Sequence, residues 1–132
     1  MPQLTPVQTV QAAYAAFGSG DIPGLLSHLS DEVEWHFVCD RRAPYNGTVR
    51  GKEAVAQWFG QVAAADGIQV FEAREFHAGP GHVTVIGWER TAALPYGKVF
   101  EAEWVHVWSV CDGLVTRLWG MLDTEAAAAA RA

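Results

Sequence analysis

This chain has few of the features that mark secretion, membrane insertion or nucleic-acid binding. It holds only two cysteines, Cys39 and Cys111, far apart in sequence, so reduced thiols are expected rather than a disulfide framework. No apolar run approaches the ~18 residues of a membrane span, and the segment MPQLTPVQTV has neither the basic stretch nor the apolar core of a leader peptide. A soluble, cytoplasmic protein with no membrane partner is the expectation. Basic residues are scarce: nine Lys plus Arg stand against fifteen Asp plus Glu, a formal net charge of -6. A phosphate backbone would be repelled, which excludes nucleic acid. Metal-ligand spacing is lacking as well. His36-x-x-Cys39-Asp40 offers suitable side chains, and His77 and His82 flank one turn, yet nothing matches a structural zinc pattern. Neither a metal nor a cofactor is expected. There is no internal repeat or linker, and 132 residues is the length of one domain, expected over 1–132. The one low-complexity segment, residues 126–130, reads as a frayed helical tail.

What is present is apolar and aromatic. Half the residues are hydrophobic, with six Trp, six Phe and three Tyr, enough to build a core and still line a cavity. The most patterned stretch runs from Phe100 to Asp123. It reads as two long strands joined by the turn Cys111-Asp112-Gly113, where Asp-Gly tolerates positive φ. On one side-chain parity lie Phe100, Ala102, Trp104, His106, Trp108 and Val110, which places one titratable ring on an apolar face.

Helices precede these strands. Thr5-Pro6-Val7-Gln8 has the form of a capping box with proline at the first helical position, and Val7, Val10, Tyr14 and Phe17 then share a face. Gly18 and Gly20 stop that helix, and Asp21 caps a shorter one through Leu25, Leu26 and Leu29. A strand over Glu32 to Val38 directs Val33, Trp35 and Phe37 to one side, and an irregular loop follows from Cys39 to Gly51. Ala54, Val55, Trp58, Phe59 and Val62 define a third helix that Asp66-Gly67 closes. Strands then run over Ile68 to His77 and His82 to Ala93, with turns at Gly79-Pro80-Gly81 and Pro95-Tyr96-Gly97. Three helices followed by a four-strand meander predict an α+β fold. A strongly curved sheet wrapped over those helices would enclose a conical cavity.

These residues resemble a known family. The opening helix followed by Gly20-Asp21, the strand carrying Trp35, Tyr45-Asn46-Gly47-Thr48 running into Arg50-Gly51-Lys52-Glu53, and Glu103-Trp104-Val105-His106-Val107 with Asp112-Gly113 look like the SnoaL-like branch of the nuclear transport factor 2-like superfamily. Ketosteroid isomerase, limonene epoxide hydrolase and polyketide cyclases belong to it. The resemblance implies a cone-shaped α+β barrel, with a curved, mostly antiparallel sheet, whose deep pocket holds small, largely apolar molecules, often in homodimers. His106 falls where the cyclases place a pocket histidine, and Arg90 matches the arginine of the epoxide hydrolases. Carboxylates of those relatives fall at Gly120 and Ala92, so no known catalytic set is complete.

The candidate catalytic residues are therefore His106, Arg90 and Tyr14. His106 is expected to be kept neutral by desolvation, and Arg90 to lie on the inward parity with Trp88. Trp35, Phe37, Trp58, Trp88, Trp104 and Trp108 are the candidate ligand-binding wall. Each has a structural alternative: a satisfied core histidine, an arginine in an ion pair, tryptophans that are simply core. Two functions fit. One is an isomerase-, cyclase- or hydrolase-like enzyme moving a proton on a small apolar, oxygen-bearing molecule; the other is a non-catalytic ligand-binding or dimerisation domain. A homodimer is expected across the outer sheet face, to which parity assigns Val83, Val85, Val105, Val107, Val115, Trp119 and Met121.

Overall fold

The computed structural model describes residues 3–132 and is α+β; of the expected domain, residues 1 and 2 lie outside the described part. Helix α1 spans Pro6–Gly18, and the Thr5 and Gln8 side chains cap each other's backbone N–H at 3.2 and 2.9 Å. Asp21 accepts from the Gly24 N–H at 2.9 Å to start α2, Ile22–Leu26. Then come β1 (Leu29–Val38), β2 (Gly47–Arg50), α3 (Lys52–Ala65), β3 (Asp66–Gly79), β4 (His82–Ala93), β5 (Lys98–Cys111), β6 (Leu114–Leu122) and α4 (Thr124–Arg131).

The six strands form one curved, unclosed sheet in the order β2-β1-β6-β5-β4-β3. All neighbours are antiparallel except β1 and β6, which run parallel. The sheet packs its inner face onto α1, α2 and α3 around one hydrophobic cluster, in which Val10, Leu25, Val33, Trp35, Val55, Trp104 and Leu118 are buried. Three local facts differ from expectation. Leu29, expected in the second helix, lies beyond its end at Leu26 and begins β1. The segment Cys39 to Gly51 is not irregular throughout, because its end forms the edge strand β2. The alanine-rich tail is not frayed: Asp123 caps α4, Ala127 is fully buried, and Arg42 and Lys98 donate to its backbone carbonyls at 3.1 and 2.8 Å.

The β5–β6 hairpin turns within the expected Cys111-Asp112-Gly113 segment, but Cys111 still pairs with Leu114, so the loop is Asp112-Gly113 alone, with φ of 52° and 76°. The β4–β5 hairpin corrects the inward parity assigned to Trp88 and Arg90. Ala93 pairs with Lys98, so the loop holds four residues, 94–97. A three-residue turn at 95–97 would have paired position 94 with 98 and carried Trp88 and Arg90 inward. The extra residue flips every side chain of β4. Val83, Val85, Gly87, Glu89, Thr91 and Ala93 face the core instead, and Trp88 and Arg90 face out. The same flip removes Val83 and Val85 from the outer face. Val115 leaves it too, because a bulge near Ser109 and Val110 shifts the β5–β6 register.

Candidate active site

Nine elements of sequence converge on a single apolar cavity of about 70 Å³, lined among others by Tyr14, Trp35, Phe37, Trp58, Phe71 and Trp108. At ~10–15 Å³ of such space per water, it has room for on the order of five waters, hence for one ring or a compact pair of rings. A second hollow of about 370 Å³ shares Tyr14, Phe17, Ile68 and Phe71 with it. The edge-to-face pair Phe17 and Phe71, 5.0 Å apart, therefore lies between the chamber and the groove beside α1 and β3.

One polar wall is neutral. Tyr14, on the last turns of α1, has its hydroxyl 2.7 Å from His106 Nδ1, and Trp108 Nε1 donates to the same oxygen at 3.0 Å. Because the indole can only donate, it takes a lone pair of the Tyr14 oxygen and leaves the phenolic O–H to donate to Nδ1. That assigns the proton of His106 to Nε2, which has no protein partner among the described residues. Burial pushes the imidazole down to about 3, so it is a neutral donor at any ordinary pH. Burial likewise raises Tyr14, only partly offset by the Trp108 bond, and the phenol keeps its proton.

Packing places this ring from three sides. Trp104 stacks on His106 at 4.1 Å and on Phe71 at 4.8 Å. Gly87, directly across from Trp104, is what admits the indole, since a Cβ there would sit 2.1 Å from it. Gly120 pairs with His106 on the other flank, and a Cβ there would be 2.8 Å from the Phe37 ring and 3.1 Å from the imidazole. The Phe37 ring fills the space beside Gly120.

The other polar wall is charged, and it was missed from sequence. Glu89 on β4 is 6% exposed, and one of its oxygens accepts the Thr91 hydroxyl. Asp66, at the start of β3, accepts Tyr45 O–H at 2.5 Å on one oxygen and pairs with Arg131 of α4 on the other. Burial raises both carboxyls, and Glu89, lacking a directly bonded cation, reaches about 7. Burial also raises Tyr45 and Cys39, so neither is an anion here, and Cys39 is no activated nucleophile.

Of the nine residues singled out from sequence, Tyr14, Trp35, Phe37, Trp58, His106 and Trp108 line the cavity. Trp104 is buried behind His106 rather than in the wall. Trp88 and Arg90 are on the outer face, where Arg90 pairs with Glu101 at 2.8 Å and the guanidinium groups of Arg74 and Arg90 lie 5.0 and 5.8 Å from the Trp88 ring. The signal for Glu89 was the length of the β4–β5 loop. For Arg131 it was a lone cation in an alanine run, and for Asp66 nothing local distinguished a pocket carboxylate from a helix stop.

A curved sheet over three helices, packed around an aromatic chamber with a histidine on its fifth strand, is the fold of the nuclear transport factor 2-like superfamily. The chain belongs to the SnoaL-like domain family, which it matches over residues 10–118. It is similar to a nuclear transport factor 2-like protein of Burkholderia xenovorans, with 32% identity, 94% of this chain and 93% of that one covered, and a TM-score of 0.84. A second, from Burkholderia thailandensis, is 25% identical over 98% and 99% of the two chains, with a TM-score of 0.90. TerC, co-crystallised with polyporic acid, is 27% identical over 93% and 95%, with a TM-score of 0.84. No curated protein matches the chain in sequence.

Proposed function

We propose that the chamber binds a compact, largely apolar molecule bearing a carbonyl or related oxygen, and moves a proton on it. The observation that carries this reading is the Trp108–Tyr14–His106 chain of hydrogen bonds, which leaves a neutral N–H donor on the wall of a largely apolar cavity. An apolar wall supplies affinity by area, and an aimed donor supplies orientation. TerC's co-crystal with polyporic acid supports an oxygen-bearing organic ligand. A molecule longer than the chamber would extend past Phe71 into the adjoining groove. A purely binding role has its own support in the Phe37 ring that occupies the space beside Gly120.

The probe is 2-indanone, a flat bicyclic ketone. Quenching of the fluorescence of Trp35, Trp58 and Trp108 should report its binding, and His106→Phe should weaken it about tenfold, the usual worth of one hydrogen bond. Arg90→Ala should leave it unchanged. No saturable binding to the unaltered protein would overturn the reading.

We also propose that the outer sheet face meets a second copy of the chain. Val105, Val107 and Trp119 are half-buried there, and Val99 and Met121 are 53% and 39% exposed. Light scattering should return twice the 14.4 kDa of one chain.

A further inference from the structure

Four titratable groups line the chamber besides His106, and three of them are spoken for. Tyr14 is held between Trp108 and His106. Tyr45 donates to Asp66, and Asp66 has both oxygens engaged, by Tyr45 and by Arg131. Glu89 differs. Its Oε2 takes the Thr91 hydroxyl, while Oε1 has no protein donor among the described residues. Across the strand pair from it stands Ala102, too small to cover it. A carboxyl buried with one oxygen unoccupied is costly, and a glutamine would keep the Thr91 bond at lower cost. The chain nonetheless keeps an ionisable group on the wall of a cavity that also carries the His106 donor.

We propose that Glu89 is the acid–base residue of this chamber and that its substrates are compact enolisable ketones. The proposal rests on the pocket reading above. The ketone oxygen accepts the His106 Nε2–H, and the Glu89 carboxylate faces the adjoining carbon. Glu89 takes a proton from that carbon: the C–H bond breaks, its electron pair forms the C=C bond, and the carbonyl π pair moves onto oxygen. The resulting enolate is held by the Nε2–H, which stays on the imidazole. Neutral Glu89 then returns the proton to the same carbon or, in a conjugated enolate, to the far carbon. No oxidant, reductant or second substrate enters.

The environment suits the step. The titratable groups that share the cavity wall with Glu89 are Tyr14 from α1, Tyr45 from the loop after β1, Asp66 from β3 and His106 from β5, with Arg131 of α4 paired to Asp66 and Cys39 beside Tyr45. Of these, Asp66 works against ionisation and Arg131 favours it, with burial the largest influence, so Glu89 exchanges its proton near pH 7. A base poised there is strong enough to take the proton and weak enough to give it back.

Exchange of the α-hydrogens of 2-indanone for deuterium, followed by proton NMR in heavy water, tests this without knowing the natural substrate. The unaltered protein should accelerate exchange over buffer, with a rate that rises through about pH 7. Glu89→Gln should lose at least about 100-fold of the acceleration, and its pH dependence, while ketone binding by fluorescence persists. Glu89→Asp keeps the carboxyl but withdraws it by one methylene. It should exchange more slowly than the unaltered protein at unchanged affinity, and it serves if the glutamine variant does not fold. Binding without accelerated exchange, or exchange equally fast in both variants, would overturn the role of Glu89 alone. Failure of the unaltered protein to bind 2-indanone would overturn the pocket reading and this proposal together.

Discussion

The Tyr14–His106–Trp108 wall and the wall of Glu89, Asp66 and Tyr45, with Arg131 paired to Asp66, face the same cavity, yet one is neutral throughout and the other contains formal charges. In the first, each group donates to the next and nothing needs a counter-ion, so three side chains from α1 and β5 suffice. The second holds two carboxyls in apolar surroundings. A buried charge must be paired or neutralised, and the chain does both: Asp66 is matched by Arg131, brought from the far end of the sequence, and Glu89 is pushed toward its protonated form. The charged wall is thus the more expensive of the two to assemble and the more sensitive to losing a member.

That difference orders four expected outcomes. The largest is at Arg131. Replacing it with Met leaves Asp66 charged and buried without its partner and undocks the end of α4, which should cost about 3–5 kcal/mol in urea unfolding. A loss below about 1 kcal/mol would mean that Asp66 simply protonates and that the two walls differ little.

Next is the pH dependence of Glu89→Gln. The folded-state pKa of Glu89 lies above its unfolded value, so its contribution to stability is present below about 4.5 and lost as pH rises through about 7. The glutamine variant should therefore be more stable than the parent above pH 7, by on the order of 2 kcal/mol, with the gain vanishing below about pH 4.5. His106 acts in the opposite sense. Its folded pKa is depressed, so its contribution is full above about 6.5 and is lost as pH falls toward about 3. Thermal melts of parent and variant across pH would show both limbs, and parallel curves would contradict the assignment of Glu89.

Tyr14→Phe tests the neutral wall. It strands the Trp108 N–H and His106 Nδ1 without a partner and should cost about 1–3 kcal/mol, with little dependence on pH above 7. A marked new pH dependence near neutrality would show that the phenol, rather than burial, keeps His106 neutral. The smallest effect belongs outside the cavity. Arg90 and Glu101 are about half exposed, and a double-mutant cycle between them should give less than about 1 kcal/mol.

Legibility followed the same division. The capping box at Thr5, the Asp112-Gly113 turn and the β5 stripe from Phe100 to Val110 are set by neighbours within a few residues, and each has the expected form. The aromatic members of the cavity could be read from that periodicity, as could His106. β2 was hidden because Gly47–Arg50 is four residues long and exists as a strand only by pairing with β1. Trp88 and Arg90 were turned the wrong way because strand parity depends on loop length, and one residue at Leu94 reverses it.

Periodicity and local turn chemistry act over one or two turns of chain, and they are enough to define α+β order, the aromatic stripe and the histidine within it. The charged wall obeys no such rule. Glu89, Asp66 and Arg131 are separated by up to 65 residues, and none has a local reason to be buried. They meet because a curved sheet brings the starts of β3, the end of β4 and the last turn of α4 to the same end of the cavity, where a low dielectric makes each charge depend on the others. Long-range electrostatics of that kind is decided by tertiary packing, and only there does a carboxyl on β4 become a group that can work near pH 7.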